Sequence, residues 1–160
     1  MQQRNDDKPH FRELGKDEIE AILARNNVGR IGYAKGQQVE IQPVHYVYSD
    51  GWIYGRTSYG SKYEAIGTGA YKWWPVVFQV DEVEGLFSWR SVLVRGGFYV
   101  LDPEGTPPDR EAAEQAVRAL RTLIPETLQA GDPVPSRTVL FRISVQEATG
   151  REAVPAGSRD

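Results

Sequence analysis

The segment GRTSYGSK at residues 55–62 spaces Gly55 and Gly60 as the glycines of a nucleotide-binding P-loop are spaced. The two residues after Gly60 come in the opposite order, Ser61 then Lys62, and Tyr63 follows the lysine where a magnesium-binding hydroxyl would stand. No acidic metal partner at the end of a buried parallel strand accompanies it, so nucleoside triphosphate hydrolysis is excluded. Two readings stay open for the segment. One is a phosphate cradle, with Thr57, Ser58 and Ser61 as hydroxyl donors and Arg56 and Lys62 as charges at a helix start. The other is an ordinary strand-to-helix turn with a solvated lysine.

The two histidines, His10 and His45, stand in no metal-ligand spacing, and the chain has no cysteine, so no metal site is expected. His45 lies in IQPVHYVY, where alternation puts Gln42, Val44, Tyr46 and Tyr48 on one face and Pro43, His45 and Val47 on the other. It is either a hydrogen-bonded barrel histidine or a contact to a ligand. No nucleophile elbow supports serine–histidine catalysis. Four tryptophans and eight tyrosines mostly serve core or interface, with a subset available to stack on a planar cofactor.

The elements that must position these residues follow from periodicity. Residues 16–27 carry Ile19, Ile22 and Leu23 on one helical stripe. Runs at 28–34, 38–49, 52–57, 73–83, 89–102 and 136–148 read as strands, separated by turn residues such as Lys35-Gly36-Gln37 and Ser49-Asp50-Gly51. Gly96-Gly97 suggests a bulge or barrel bend. Residues 61–66 read as a short helix. Residues 107–125 read as an amphipathic one with Ala113, Ala116, Val117, Leu120 and Ile124 on its apolar face. Residues 1–13 are expected to form a loose arm, 14–148 the domain, and 149–160 a frayed tail.

At 160 residues and 40% hydrophobic content the chain suits one globular core. Its net charge of −3, with both signs interspersed, argues against nucleic-acid and membrane-surface partners. No apolar leader or membrane-length run is present, so a cytoplasmic soluble protein is expected. Hairpin-linked strands with few helices indicate a mainly β domain, a small antiparallel barrel whose edge strands favour burial in a homodimer.

In order and spacing, NNVGRIGY (26–33), QPVHYVY (42–48), RTSYGSKYEAI (56–66), FQVDEV (78–83), WRSVLVRG (89–96) and RISVQEATGREA (142–153) resemble the pyridoxamine 5′-phosphate oxidase-like family of FMN-binding split barrels. The subgroup is similar to nitroimidazole-resistance reductases and small flavin-nucleotide-binding proteins. The resemblance implies a six-stranded antiparallel split β-barrel, dimeric, with FMN in clefts between the subunits. It implies that Gln42, Pro43, Val44, His45 and Tyr46 run along the flavin ring, largely through backbone. Thr57, Ser61 and Lys62, with Arg56 and Ser58, would hold the phosphate, and Gln79, Trp89, Arg90 and Ser91 would border the cleft, some across the dimer. It also places His45 near the ring as the candidate catalytic contact to a small, planar substrate. The chain lacks the terminal Trp and Arg/His segment of the vitamin oxidases, which argues against vitamin B6 oxidation. The implied activity is an FMN-dependent oxidoreductase; the alternative is a flavin- or haem-binding module without turnover.

Overall fold

Residues 7–59 and 73–158 are described by the computed structural model. The expected helix over 61–66 lies outside them, as do Gly60, Ser61, Lys62, Tyr63 and Tyr71. The chain runs β1 (His10–Glu13), α1 (Lys16–Arg25), β2 (Val28–Lys35), β3 (Gln38–His45), β4 (Val47–Ser49), β5 (Trp52–Thr57), β6 (Trp73–Gly85), β7 (Ser88–Leu101), α2 (Pro107–Leu123), β8 (Val139–Ser144) and β9 (Glu147–Val154). The expected mainly β, antiparallel split-barrel architecture is what forms, with nine strands in one sheet rather than six.

Tight turns set the hairpins. Asp50 and Gly51 both take positive φ, 49° and 80°, which matches the right-handed twist of the flanking strands β4 and β5. The hydrogen-bonded path is β3-β2-β6-β7-β8-β5-β4, and its two end strands, β3 and β4, are separated in the chain by Tyr46 alone. The sheet must therefore curl until its ends meet. Inside the curl, alternate residues form the core: Ile31, Ile53, Phe78, Val92, Phe141 and Ile143 are all fully buried. The single strand expected over 38–49 is broken at Tyr46, which is itself fully buried. Its hydroxyl donates to the Leu23 carbonyl at 2.8 Å, and its ring stands edge-on to Phe78 at 4.9 Å.

The split lies in β7. Its first part, Trp89–Arg95, pairs with β9, and its last part, Phe98–Leu101, pairs with β8, while β6 follows its other edge throughout. Gly96 sits where one partner replaces the other, in register with β6 and without a bulge there. A Cβ on Gly96 would stand 1.7 Å from the Ser144 carbonyl oxygen, so only glycine lets the strands cross. The Gly97 amide donates to Ser144 Oγ at 2.9 Å across the same crossing.

The loose arm expected at 1–13 and the frayed tail expected at 149–160 are corrected at 10–13 and 149–154, where β1 pairs with residues 151–154 of β9. Their polarity hid them, because the face they share is closed by ion pairs rather than apolar side chains. Arg12 reaches Glu152 at 2.8 Å and Glu18 at 2.6 Å, and Arg90 holds the other Glu152 oxygen. At the opposite end of α1, Arg25 and Asn26 hold Glu82 at 2.5–2.8 Å. The helix itself buries Ile19, Ile22 and Leu23 as its stripe predicts. Helix α2 lays Ala112, Ala113, Ala116, Ala119 and Leu120 against Tyr54, Leu101 and Leu140, a second small core outside the barrel. It ends at Leu123, two residues short of the expected Pro125, and the Ile124 amide caps it by donating to the Leu120 carbonyl. Among the described residues no helix is long and apolar enough to cross a membrane.

Two outcomes follow for stability. Gly96→Ala forces a methyl group onto a backbone carbonyl, and thermal or urea unfolding should show a loss of roughly 3 kcal/mol or more. The hydrogen bonds from Arg25, opposed by partial burial and joined by Asn26, hold the Glu82 carboxyl down at about 2 against an ordinary 4.5. A depressed carboxyl stabilises the fold above its ordinary value and loses that contribution as pH falls. Between pH 4.5 and 2, stability should therefore decline, and Glu82→Gln should flatten that part of the profile in urea titrations at each pH.

Candidate functional site

The residues that could bind a ligand gather where β3 and β5 end side by side. Pairing of β2 with β3 sets Arg30 opposite Pro43 and Val28 opposite His45 on the outer face of the sheet. Gln42 and Val44 point the other way: Gln42 donates to the hydroxyl of buried Tyr33 at 3.2 Å, and Val44 is in the core. Of the expected stretch 42–46, the side chains of Pro43 and His45 are exposed, whereas Gln42, Val44 and Tyr46 have only backbone to offer on that side. β3 is also an end of the sheet path, so the backbone groups of its second edge lie outside the sheet hydrogen bonds.

β5 brings Arg56 and Thr57 to the same end, opposite Leu140 and Val139 of β8. Arg56 is an internal anchor: its two terminal nitrogens donate to Asp132 at 2.5 and 2.8 Å, and both side chains are buried. Asp132 also accepts from the backbone amides of Leu128 at 3.0 Å and Val134 at 3.1 Å. The Arg56 guanidinium, outweighing the cost of burial and joined by these amides, holds the Asp132 carboxyl far below the usual carboxylate range. Thr57 and Ser58 are half-buried, and the Thr57 hydroxyl makes only a 3.5 Å contact to the Ser58 carbonyl. Ser61 and Lys62 of the expected cradle lie outside the described residues.

The anchored connection from 124 to 138 delivers a residue that sequence reasoning missed as a site residue. Arg137 Nη1 lies 3.3 Å from His45 Nδ1. A guanidinium only donates, so His45 accepts at Nδ1 and carries its proton on Nε2, where it is a donor. Nothing local marks Arg137, because its partner is 92 positions away in sequence.

The remaining expected residues sit elsewhere on the sheet. Gln79 is opposite Arg30 on the outer face and donates to Ser91 Oγ at 3.2 Å. It stands two strands, roughly 10 Å, from Pro43. Trp89 shares that face but lies farther along β7, with its ring 6.2 Å from Phe11. Arg90 points to the opposite face, where it pairs with Glu152 and approaches Glu82 at 4.0 Å. That end holds a cavity of about 320 Å³ lined by Glu82, Ser88, Trp89, Arg90 and Glu152 among others, with no lining residue from β3 or β5. Within one chain, His45 and Arg137 therefore come together beside Pro43, with Gln79 and Ser91 on the same outer face and Arg90 apart. Among the described residues no three His, Asp or Glu side chains converge as a metal site.

Comparison with known proteins places the fold and the family. A family model described as pyridoxamine 5′-phosphate oxidase matches residues 15–152. A FAD-binding protein from Mesorhizobium loti is 28% identical, with 91% of this chain and 98% of that one aligned at a TM-score of 0.68. The FAD binding protein from Mycobacterium smegmatis is 21% identical over 88% and 99% of the two chains at a TM-score of 0.60. A flavocytochrome from Azotobacter vinelandii shares the fold at 15% identity over 94% and 72%, with a TM-score of 0.62. No curated protein sequence matches significantly. With the family model spanning α1 to β8 in full and most of β9, and the split-barrel topology in place, the chain belongs to the pyridoxamine 5′-phosphate oxidase family.

Proposed function

We propose that the protein is an FMN-dependent oxidoreductase acting on a small planar substrate other than a B6 vitamer. The observation that supports this reading is the exposed His45 at the end of β3, an edge strand of the described sheet, with Arg137 3.3 Å from its ring nitrogen. Family membership and the 28% identical FAD-binding relative support flavin as the ligand class. The donors present fit such a group: backbone of β3 for the polar edge of a ring, and Thr57, Ser58 and the charged residues around them for a phosphate. The sequence pair Ser61-Lys62, read as donors to a monophosphate, favours FMN over a dinucleotide.

Bound FMN would supply hydride transfer at its N5 atom. The protein's part is to hold and orient. The β3 backbone aligns the ring plane, the turn after β5 fixes the phosphate, and His45 offers its Nε2 proton to whatever lies against the outer face. The buried acid at this end, Asp132, is engaged by Arg56, so orientation rather than one indispensable proton donor carries the contribution of the chain.

The outer face of β3-β2-β6 supports a dimeric reading. Val39, Ile41 and Val28 are 83%, 63% and 58% exposed on it, a row of apolar side chains unusual for an uncovered sheet. A second copy covering this face would enclose a ligand beside His45 and could bring Trp89 or Ser91 of one chain towards β3 of the other.

Three ligands separate the alternatives. FMN, FAD and riboflavin titrated into the purified protein should bind with FMN tightest, and the flavin spectrum should bleach anaerobically with NADH or NADPH and return on adding an acceptor. Lys62→Ala should weaken FMN by roughly 10- to 100-fold, the scale of one charge-assisted hydrogen bond, and leave riboflavin unchanged. Ile41→Asp should turn a dimer into a monomer in sedimentation analysis and weaken FMN with it; a wild-type monomer that binds FMN fully would refute the shared cleft.

A further inference from the structure

We propose that the cleft between α2 and the β4–β5 hairpin is a second ligand site, one that takes a small zwitterion with a flat body, the chemistry of an aromatic amino acid. It lies apart from His45 and does not rest on the flavin reading.

The cleft measures about 450 Å³ and is walled by Trp52 and Tyr54 of β5, by Asp50 in the turn before them, and by Gln115, Arg118 and Thr122 of α2. That is the room of roughly fifteen waters, enough for a molecule of amino-acid size. None of His45, Thr57 and Arg137 lines it. Four residues of β5, from Trp52 to Arg56, put roughly 13 Å between this cleft and the His45 end of the strand.

A buried hydroxyl opens onto it. Helix α2 packs on the sheet through Ala112, Ala113, Ala116 and Ala119, small enough to bring the helix down over the Tyr54 ring. Tyr54 is only 4% exposed, and its hydroxyl makes no hydrogen bond within the protein. That hydroxyl is nevertheless not sealed off, because among the described residues the one fully enclosed side-chain polar atom without a partner is Arg142 Nε. What remains accessible of Tyr54 therefore faces the cleft that it lines, as an unused donor and acceptor. Beside it Trp52 is a fixed flat wall. The Arg142 guanidinium lies over its ring at 3.7 Å, and Tyr99 meets it edge-on at 6.0 Å. A wall already ordered costs little conformational entropy when a ring settles against it.

Charge decides the ligand class. Arg118 and Asp50 line the same cleft, yet among the described residues neither makes an ion pair or a side-chain hydrogen bond, with the other or with any neighbour. A simple anion would meet Arg118 but be repelled by Asp50, and a simple cation would meet the reverse. A molecule carrying both charges satisfies both. The Thr122 hydroxyl donates to the Ala119 carbonyl at 2.6 Å, so towards the cleft it can only accept, which suits an ammonium. The carboxylate then falls to Arg118, the ammonium to Asp50 and the ring to Trp52, with the Tyr54 hydroxyl and the Gln115 amide completing the polar contacts.

The test is calorimetric titration of the purified full chain with L-phenylalanine, with phenylpropionate, which lacks the ammonium, and with phenethylamine, which lacks the carboxylate. Phenylalanine should bind one to one, and each analogue roughly 5- to 10-fold more weakly. Tyr54→Phe should weaken phenylalanine by roughly 5-fold at an unchanged melting temperature, because the hydroxyl has no protein partner to lose. Arg118→Ala should weaken phenylalanine and phenylpropionate and leave phenethylamine as it was. Asp50→Asn, a residue equally at ease with a φ of 49°, should weaken phenylalanine and phenethylamine only. Absence of heat with phenylalanine in wild type overturns the site. So does an affinity that Tyr54→Phe leaves untouched, or either analogue binding as tightly as phenylalanine. None of these readouts involves a flavin, so failure here and failure of the flavin reading are seen separately.

Discussion

The architecture turns on a one-residue gap. β3 and β4 are the two ends of a seven-strand hydrogen-bonded path, and only Tyr46 lies between them. A flat sheet would hold these strands far apart, so the covalent link demands curvature, and the curvature encloses the core. Tyr46 makes the closure specific. Its amide donates to the Asn27 carbonyl at 2.9 Å, its carbonyl accepts from Asn27 Nδ2 at 3.1 Å, and its hydroxyl donates to Leu23 of α1. Burial, with a smaller contribution from Glu82, pushes the phenol well above its ordinary range, so it remains a neutral donor wherever the protein is folded. Because His45 immediately precedes it, the same seam that closes the barrel fixes the outward direction of the histidine.

A second constraint brings the partner of that histidine. The connection between α2 and β8 has little apolar surface of its own and would be free to wander. The Arg56–Asp132 pair prevents this. A buried ion pair is a modest source of net stability, since desolvation offsets most of the attraction, but it admits few geometries. Here both fork nitrogens, both carboxylate oxygens and two loop amides must be satisfied at once, so the path of the connection is strongly restricted. The consequence is a cation delivered beside His45 by residues that never touch the cleft themselves.

The division between what the sequence disclosed and what it concealed has a physical basis. The stripes Ile19-Ile22-Leu23 and Ala113-Ala116-Leu120 are legible because apolar spacing alone decides which face of a helix is buried. The inward and outward assignment of Val44 and His45 is legible for the same reason in strands. The break at Tyr46 is not, since a tyrosine fits a continuing strand equally well and only tertiary closure selects the break. β1 and β9 escape notice because Arg12, Glu152 and Arg90 stabilise them through charge, which has no periodic signature. Arg56 and Arg90 look like anion ligands in the sequence because the fork that suits a phosphate also suits a carboxylate. Their carboxylates, Asp132 and Glu152, lie 76 and 62 positions away. Arg137 is hidden by the same long-range logic in reverse.

These constraints give the cleft a graded chemistry. At the end of β5 stand the half-buried hydroxyls of Thr57 and Ser58. At the end of β3 stand an edge that no described strand pairs and the imidazole of His45. Beyond them the outer face of β2, β3 and β6 is apolar and exposed. The imidazole cannot accept at Nδ1 while Arg137 occupies it, and its Nε2 already bears the proton, so His45 acts as a donor unless that contact breaks. Proton abstraction from a bound molecule would require the Arg137 contact to open, whereas donation to a developing negative charge requires no rearrangement. The arrangement therefore favours hydrogen-bond donation from His45 over proton abstraction by it.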